Sequence, residues 1–256
     1  MQNPNTNRLF LMPDRAIFVG PVQDNELHKH HALQLVASST PFRLSIGQGE
    51  VREERFVLID SNVPHKVQGD SPHQFLVLID RESVLSDALR ASLPPGIGFV
   101  SFQPVDDLPV PPETCGDARR ESDRLARSVV QPMGVLISDQ SLDHRIQAAC
   151  RFITEQEDFK TSLGAVAAHI GLSEGRTTHL FKEQIGVPIR RFVMWLRIRR
   201  AIAEAAATGS LTDASHSAGF ADQAHFTRTF RDMFGLSPKQ ILARKGAVDF
   251  NLCFQE

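Results

Sequence analysis

Two stretches in the second half of the chain repeat one pattern. IGLSEGRTTHLFKEQIGVP (170–188) and AGFADQAHFTRTFRDMFGLSP (218–238) each run through a Gly-apolar break, a polar helix, Phe-x4-Gly at the exit and a nearby proline. Gly171 to Phe181 is ten positions and Gly219 to Phe230 is eleven, so one residue separates the copies. In the second copy Phe226, Phe230, Met233 and Phe234 fall at i, i+4, i+7 and i+8, which makes a continuous apolar stripe on a helix. The opposite face carries Gln223, His225, Thr227 and Arg228. That polar face needs a purpose.

Each copy has the parts of a helix-turn-helix. In the first, SLGAVAAHI (162–170) predicts a short helix capped by Ser162, with the small Ala167 where two helices approach closely. Gly171 supplies the turn, Ser173 caps the next helix, and Leu180, Phe181 and Ile185 face inward. In the second, Ser210 caps a helix with Asp213 three positions on, Ser215 takes the close-contact place, Gly219 turns the chain and Asp222 caps the following helix. Two αα-hairpins in a plain helical bundle would share the broad pattern. The repeated order of small residue, Gly, cap and Phe-x4-Gly argues against that. Between the copies VPIRRFVMWLRIRRAIAEAAAT (187–208) predicts one helix after Pro188, with Phe192, Trp195, Leu196, Ile198 and Ile202 toward a core. About 20 residues span roughly 30 Å, close to the ~34 Å repeat of the B-DNA major groove.

Charge separates the halves. Residues 1–140 carry 13 Lys and Arg against 18 Asp and Glu, whereas 141–256 carry 15 against 12. Only the second half has the sign that suits a phosphate backbone. Composition, 41% apolar and 23% charged, is that of a globular protein and not of a disordered tail. No apolar run is long enough to span a bilayer and MQNPNTNRLF does not read as a signal, so a cytoplasmic location without membrane contact is expected. Cys115, Cys150 and Cys253 are far apart and lack metal-ligand spacing, which predicts ordinary reduced thiols.

Up to about residue 80 the runs HALQLVAS, FRLSIGQG, RFVLIDSNVP and HQFLVLID predict strands. ESVLSDALRAS (82–92) and GDARRESDRLARSVV (116–130) have helical spacing, and the Pro-rich LPVPPETCG separates them. The expected organisation is α+β with two domains: 1–130 a small β-barrel with following helices, 131–141 a linker, 142–246 an all-α domain, and 247–256 a tail with no reading.

From Leu142 to near Leu242 the sequence resembles the AraC/XylS family of bacterial transcription regulators. The resemblance rests on Ala167, Gly171-Leu172-Ser173, Leu180-Phe181, Gly186, Leu196-Arg197, Ala201, Gly219-Phe220, His225-Phe226-x-Arg228-x-Phe230 and Gly235-x-Ser237-Pro238. It implies a sequence-specific DNA-binding regulator whose two units enter adjacent major grooves. Carried over position by position, it places Gly175, Arg176, Thr178 and His179 in one groove and Gln223, Ala224, His225 and Arg228 in the next. Arg reads guanine, Gln reads adenine, and Thr hydrogen-bonds or meets a thymine methyl, so base reading is expected from Arg176, Thr178, His179, Gln223, His225 and Arg228. Lys182, Arg190, Arg191 and Arg231 are expected at phosphates. Thr177 departs from a usually apolar position, Ser215 from alanine and Leu242 from arginine. Gly175 leaves one groove position bare, so the first unit is expected to read DNA less tightly than the second.

The N-terminal half loosely resembles the cupin-like barrel that often precedes such domains, through HKHHALQLV (28–36), FRLSIGQG and NVPHKV (62–67). His28, His30 and His65 are its ligand-pocket residues. Imidazoles suit Zn, Fe, Ni or Cu. No acidic ligand is evident between the histidines and His73 lies only eight residues past His65, so the expected cofactor is none and the histidines line a pocket or bond internally. The Leu125/Val129 stripe either pairs with a twin in a dimer or packs on the barrel. The expected partners are double-stranded DNA, a small-molecule effector, RNA polymerase for an activator, and a second copy of the chain. A metal-dependent cupin enzyme with an attached helical domain is the alternative; no Ser/His/Asp set, phosphate loop or carboxylate pair points to other catalysis, and the chain is read as a regulator and not an enzyme.

Overall fold

The computed structural model describes residues 7–104, 108–133, 142–242 and 248–254. The chain divides into two compact units, Met1–Ser138 with Arg231–Glu256, and Asp139–Phe230. Most of the expected linker, from residue 134 on, lies outside the described residues, as do parts of the expected tail and the side chain of Leu242.

The first unit is a sheet backed by helices. Its strands are β1 (Asn7–Leu11), β2 (Arg15–Gly20), β3 (Leu33–Ile46), β4 (Val51–Ile59), β5 (His65–Gln68), β6 (Gln74–Ile79), β7 (Phe99–Ser101) and β8 (Val248–Leu252). They run in the order β7-β4-β3-β6-β2-β1-β8, with β5 against β3. The two outer strands do not pair, so the expected closed barrel is corrected to an open sheet. Its physical basis lies in β3: the register slips between Ala37 and Phe42, letting one strand pair with β6 before the slip and β5 after it, which bends the sheet without closing it. The tail also gains a structure. It adds β8 in parallel to β1, pairing Asn7 with Val248 through Leu11 with Leu252.

Both faces of this sheet are apolar because side chains alternate along each strand. Leu33, Leu35, Ala37, Phe56, Leu58 and Val77 form one layer with Leu89 of α1 (Val84–Ala91) and Leu125, Ala126 and Val129 of α2 (Cys115–Val130). Val36, Phe42, Leu44, Val57, Ile59 and Val67 form the other. Of the two alternatives for the Leu125/Val129 stripe, the structure has it buried on the unit's own sheet. Thr114 and Asp117 cap the start of α2 reciprocally. The buried Arg15 ties β2 to α2 through Ser122 Oγ (2.8 Å) and Asp123 (2.5 Å).

Cysteine chemistry differs from expectation. Cys115 and Cys253 form a disulfide across 138 residues, fastening Cys253 to the start of α2, and Cys150 is a buried thiol outside any disulfide. Spacing hides this pair because the two cysteines meet only after β8 joins β1; Cys253 N–H donates to Leu11 O at 2.8 Å.

The second unit is helical: α3 (His144–Thr154), α4 (Leu163–His169), α5 (Glu174–Ile185), α6 (Ile189–Thr208), α7 (Leu211–Ser217) and α8 (Gln223–Phe234), the last turn of which passes into the first unit; α9 (Pro238–Leu242) follows there. Ile146, Ile153, Val166, Leu180, Phe181, Ile185 and Phe192 make one of its cores. No helix of the described residues is long and apolar enough to cross a membrane.

Candidate nucleic-acid interface and buried histidine cluster

The recognition-type helices are set by local chemistry. Ser162, Ser173 and Ser210 accept hydrogen bonds from the backbone N–H three residues on, at 3.1, 3.3 and 3.2 Å, each opening a helix as its spacing predicts. Asp222 accepts from His225 N–H at 2.6 Å and opens α8, and this contact holds its carboxyl below the usual range. Gly171 and Gly219 have φ of +67° and +80°, the left-handed conformation each turn requires. At Gly219 a Cβ would also stand 3.2 Å from Arg197 Nε.

α6 joins the copies. Phe192, Trp195, Leu196, Ile198 and Ile202 are all buried, and the helix runs 20 residues from Pro188 to a left-handed Gly209. On its flank the Arg197 guanidinium, 3.4 Å from the Asp158 carbonyl, braces the turn at Gly219; burial lowers its pKa. Arg200 meets the Asp158 carboxylate at 3.4 Å.

The polar positions divide by exposure. Arg176, Thr178, His179, Lys182 and Arg190 are exposed on or beside α5, and Arg191 is half-buried. On α8, Gln223, Arg228 and Arg231 are exposed. Phe226, Phe230 and Met233, at 0%, 1% and 4% exposure, anchor the other side. Gln223 is oriented: Thr212 Oγ donates to its Oε1 at 2.8 Å, which turns the amide N–H groups away from α7. His225 is half-buried, its ring edge-on to Phe220 at 5.3 Å, so its imidazole is partly a packing element. His179 lies 3.8 Å from Glu183. An open groove of about 860 Å³ is bordered by Thr178 from α5, Arg190 and Met194 from α6, and His225 and Thr229 from α8, so both helices face one cavity.

Two departures have structural consequences. Thr177 is fully buried and its hydroxyl has no hydrogen-bond partner. Ser215, equally buried, donates to Thr212 O at 2.8 Å and is satisfied.

In the first unit the three sequence-selected histidines come together. His28, His30 and His65 are buried, and one ring nitrogen of each lies within 4.8 Å of the others. His28 and His30 precede β3, and His28 bridges His65 through two backbone hydrogen bonds of 3.0 and 2.8 Å. Burial lowers all three imidazole pKa values, that of His30 to about 3. Sequence reasoning missed Gln34. Its Oε1 stands 3.1 Å from His30 Nε2 and 3.2 Å from His65 Nε2. Local sequence does not mark it, since only the strand register sets Gln34 opposite Ile59 on the face of Val36.

Residues 166–244 match a family model described as a helix-turn-helix domain. The arabinose operon regulatory protein of Escherichia coli K12 is 31% identical over 104 residues, covering 40% of this chain and 36% of the relative. The similarity to these regulators lies in this helix-turn-helix domain. An uncharacterised HTH-type transcriptional regulator of Staphylococcus aureus is 30% identical over 117 residues, 44% of this chain and 16% of the relative. The matches thus span about a third or less of the curated relatives' length. ToxT of Vibrio cholerae O395 shares the fold, with a TM-score of 0.58 at 11% identity over 90% of this chain and 98% of ToxT. An unsaturated fatty acid bound ToxT aligns with a TM-score of 0.57 at 13% identity over 94% and 97%.

Proposed function

We propose that the protein is a sequence-specific DNA-binding transcription regulator. The observation that carries this is the pair of capped helices α5 and α8, each anchored by buried apolar residues, each presenting exposed polar side chains, and joined by the 20-residue α6. Arg176, Thr178, His179, Gln223, His225 and Arg228 read bases; Lys182, Arg190, Arg191 and Arg231 hold phosphates. The orientation of Gln223 supports adenine reading, which needs an amide with a fixed direction. The half-buried ring of His225 gives it the smaller share.

The first unit is the regulatory part, taking a small-molecule effector or a second copy of the chain, in the cytoplasm, with RNA polymerase as partner if the regulator activates. Its likeness in fold to a protein solved with a bound fatty acid supports an effector site. An effector changes DNA binding only if it binds two states of the protein with different affinity. The test is selection of double-stranded DNA from a random library by the full chain, followed by a salt titration. An enriched site whose affinity falls steeply with salt is expected. Retention of all sequences alike would overturn the proposal.

A further inference from the structure

The geometry points to a site for one divalent transition-metal ion in the first unit, held by His28, His30 and His65 with the amide oxygen of Gln34.

Backbone carbonyls place the ring protons. His28 Nδ1 lies 2.8 Å from Glu26 O, His30 Nδ1 2.9 Å from Ala32 O, and His65 Nδ1 2.9 Å from Val63 O. A carbonyl oxygen has no hydrogen to give, so each Nδ1 carries the proton and donates it. In a neutral ring that leaves Nε2 as the lone-pair nitrogen. Three backbone carbonyls therefore set one tautomer in three rings, the arrangement that orients imidazoles toward a metal and raises their basicity.

Two of those lone pairs converge on one oxygen. His30 Nε2 and His65 Nε2 both face Gln34 Oε1, at 3.1 and 3.2 Å. With the proton on Nδ1, these are contacts of acceptor with acceptor, which a cation between them makes favourable. Ligands about 2.1 Å from one ion stand about 3.0 Å apart at right angles and about 3.4 Å apart in a tetrahedron. The Gln34 spacings match, and the widest histidine spacing closes on binding. Three neutral imidazoles and an amide oxygen suit Zn²⁺, Fe²⁺, Co²⁺ or Ni²⁺ and not Mg²⁺ or Ca²⁺. The rings also pack against one another, with centroids of His28 and His65 4.2 Å apart and of His30 and His65 5.2 Å apart.

The competing arrangement turns the Gln34 amide over, so that its NH2 donates to both Nε2 atoms with no ion. Adding Co²⁺ to the chelator-treated, untagged full chain decides between them. One equivalent per chain is expected, with a visible d–d band, displacement by Zn²⁺, and shifted, solvent-exchangeable proton signals from the Nδ1–H groups of the bound rings. Gln34→Glu, which supplies a carboxylate oxygen, is expected to bind at least tenfold tighter, and His65→Gln at least tenfold more weakly. The wild-type spectrum is decisive even where a variant fails to fold. A folded wild-type chain that takes up no Co²⁺, or takes it up without shifted exchangeable imidazole protons, would overturn the site and leave the turned amide as the answer.

Discussion

The two units treat their polar groups in opposite ways. In the first, the chemistry is inside: three histidines and a glutamine are buried against an apolar sheet face, and burial holds the rings neutral. In the second, the chemistry is outside: Arg176, Gln223 and Arg228 stand exposed on helices whose other sides are fixed by Phe181, Phe226 and Phe230. A buried set selects something small that must enter and be desolvated. An exposed, cationic set suits a large polyanion that never leaves water. The difference teaches that, on the proposed function, burial alone would separate sensing from reading within one chain.

Perturbations of decreasing size sharpen that contrast. The largest effect is expected at the disulfide. Replacing Cys253 by Ser, or reducing the Cys115–Cys253 bond, frees a loop across 138 residues, worth up to about 5 kcal/mol in the chain-entropy model. Denaturant melts with and without reductant should show the loss in the first unit; unchanged melts would mean that β8 stays on β1 without the bond.

Next comes Phe226→Ala, which removes a fully buried ring packed edge-on against Phe220 and Phe230 at 5.3 and 5.7 Å. A loss of about 3–5 kcal/mol is expected, seen as early melting of the helical unit while the sheet holds. Simultaneous melting of both units would show that they do not fold independently.

Smaller gains are expected on α5. Thr177→Val removes the unpartnered buried hydroxyl at nearly constant volume, and should raise stability by about 1 kcal/mol in thermal melts. Gly175→Ala should add about 0.4–1 kcal/mol, since a Cβ there meets nothing within 4 Å. Destabilisation by either would show a neighbour that these positions need.

Legibility from sequence follows the same division. The helical unit is legible because its determinants are local: a Ser or Asp cap, a glycine at positive φ and an apolar stripe all lie within a dozen residues of one another. The caps at Ser162, Ser173, Ser210 and Asp222 and the buried face of α6 can be read for that reason. The sheet unit is partly legible. Alternation marks β3, β4 and β6, but the slip between Ala37 and Phe42 that keeps the sheet open has no local signature, nor does the union of β8 with β1. The histidines stand out by type and spacing, whereas Gln34 requires the register of β3 on β4 to be seen as their neighbour. The disulfide is illegible for the same reason, because its partners are adjacent only across a completed sheet edge.

On the proposed function α8 presents a base-reading face. Arg228 and Arg231 are both exposed on that helix, one assigned to a base and the other to a phosphate. The direct test compares Arg228→Ala with Arg231→Ala on the selected DNA site and on variants of it, across a salt series. Arg228→Ala is predicted to cost about 1–3 kcal/mol on the selected site and to erase preference at one base pair, while Arg231→Ala weakens all sequences alike and lowers the salt slope by about 1. Equal, sequence-independent losses from both variants would contradict the account.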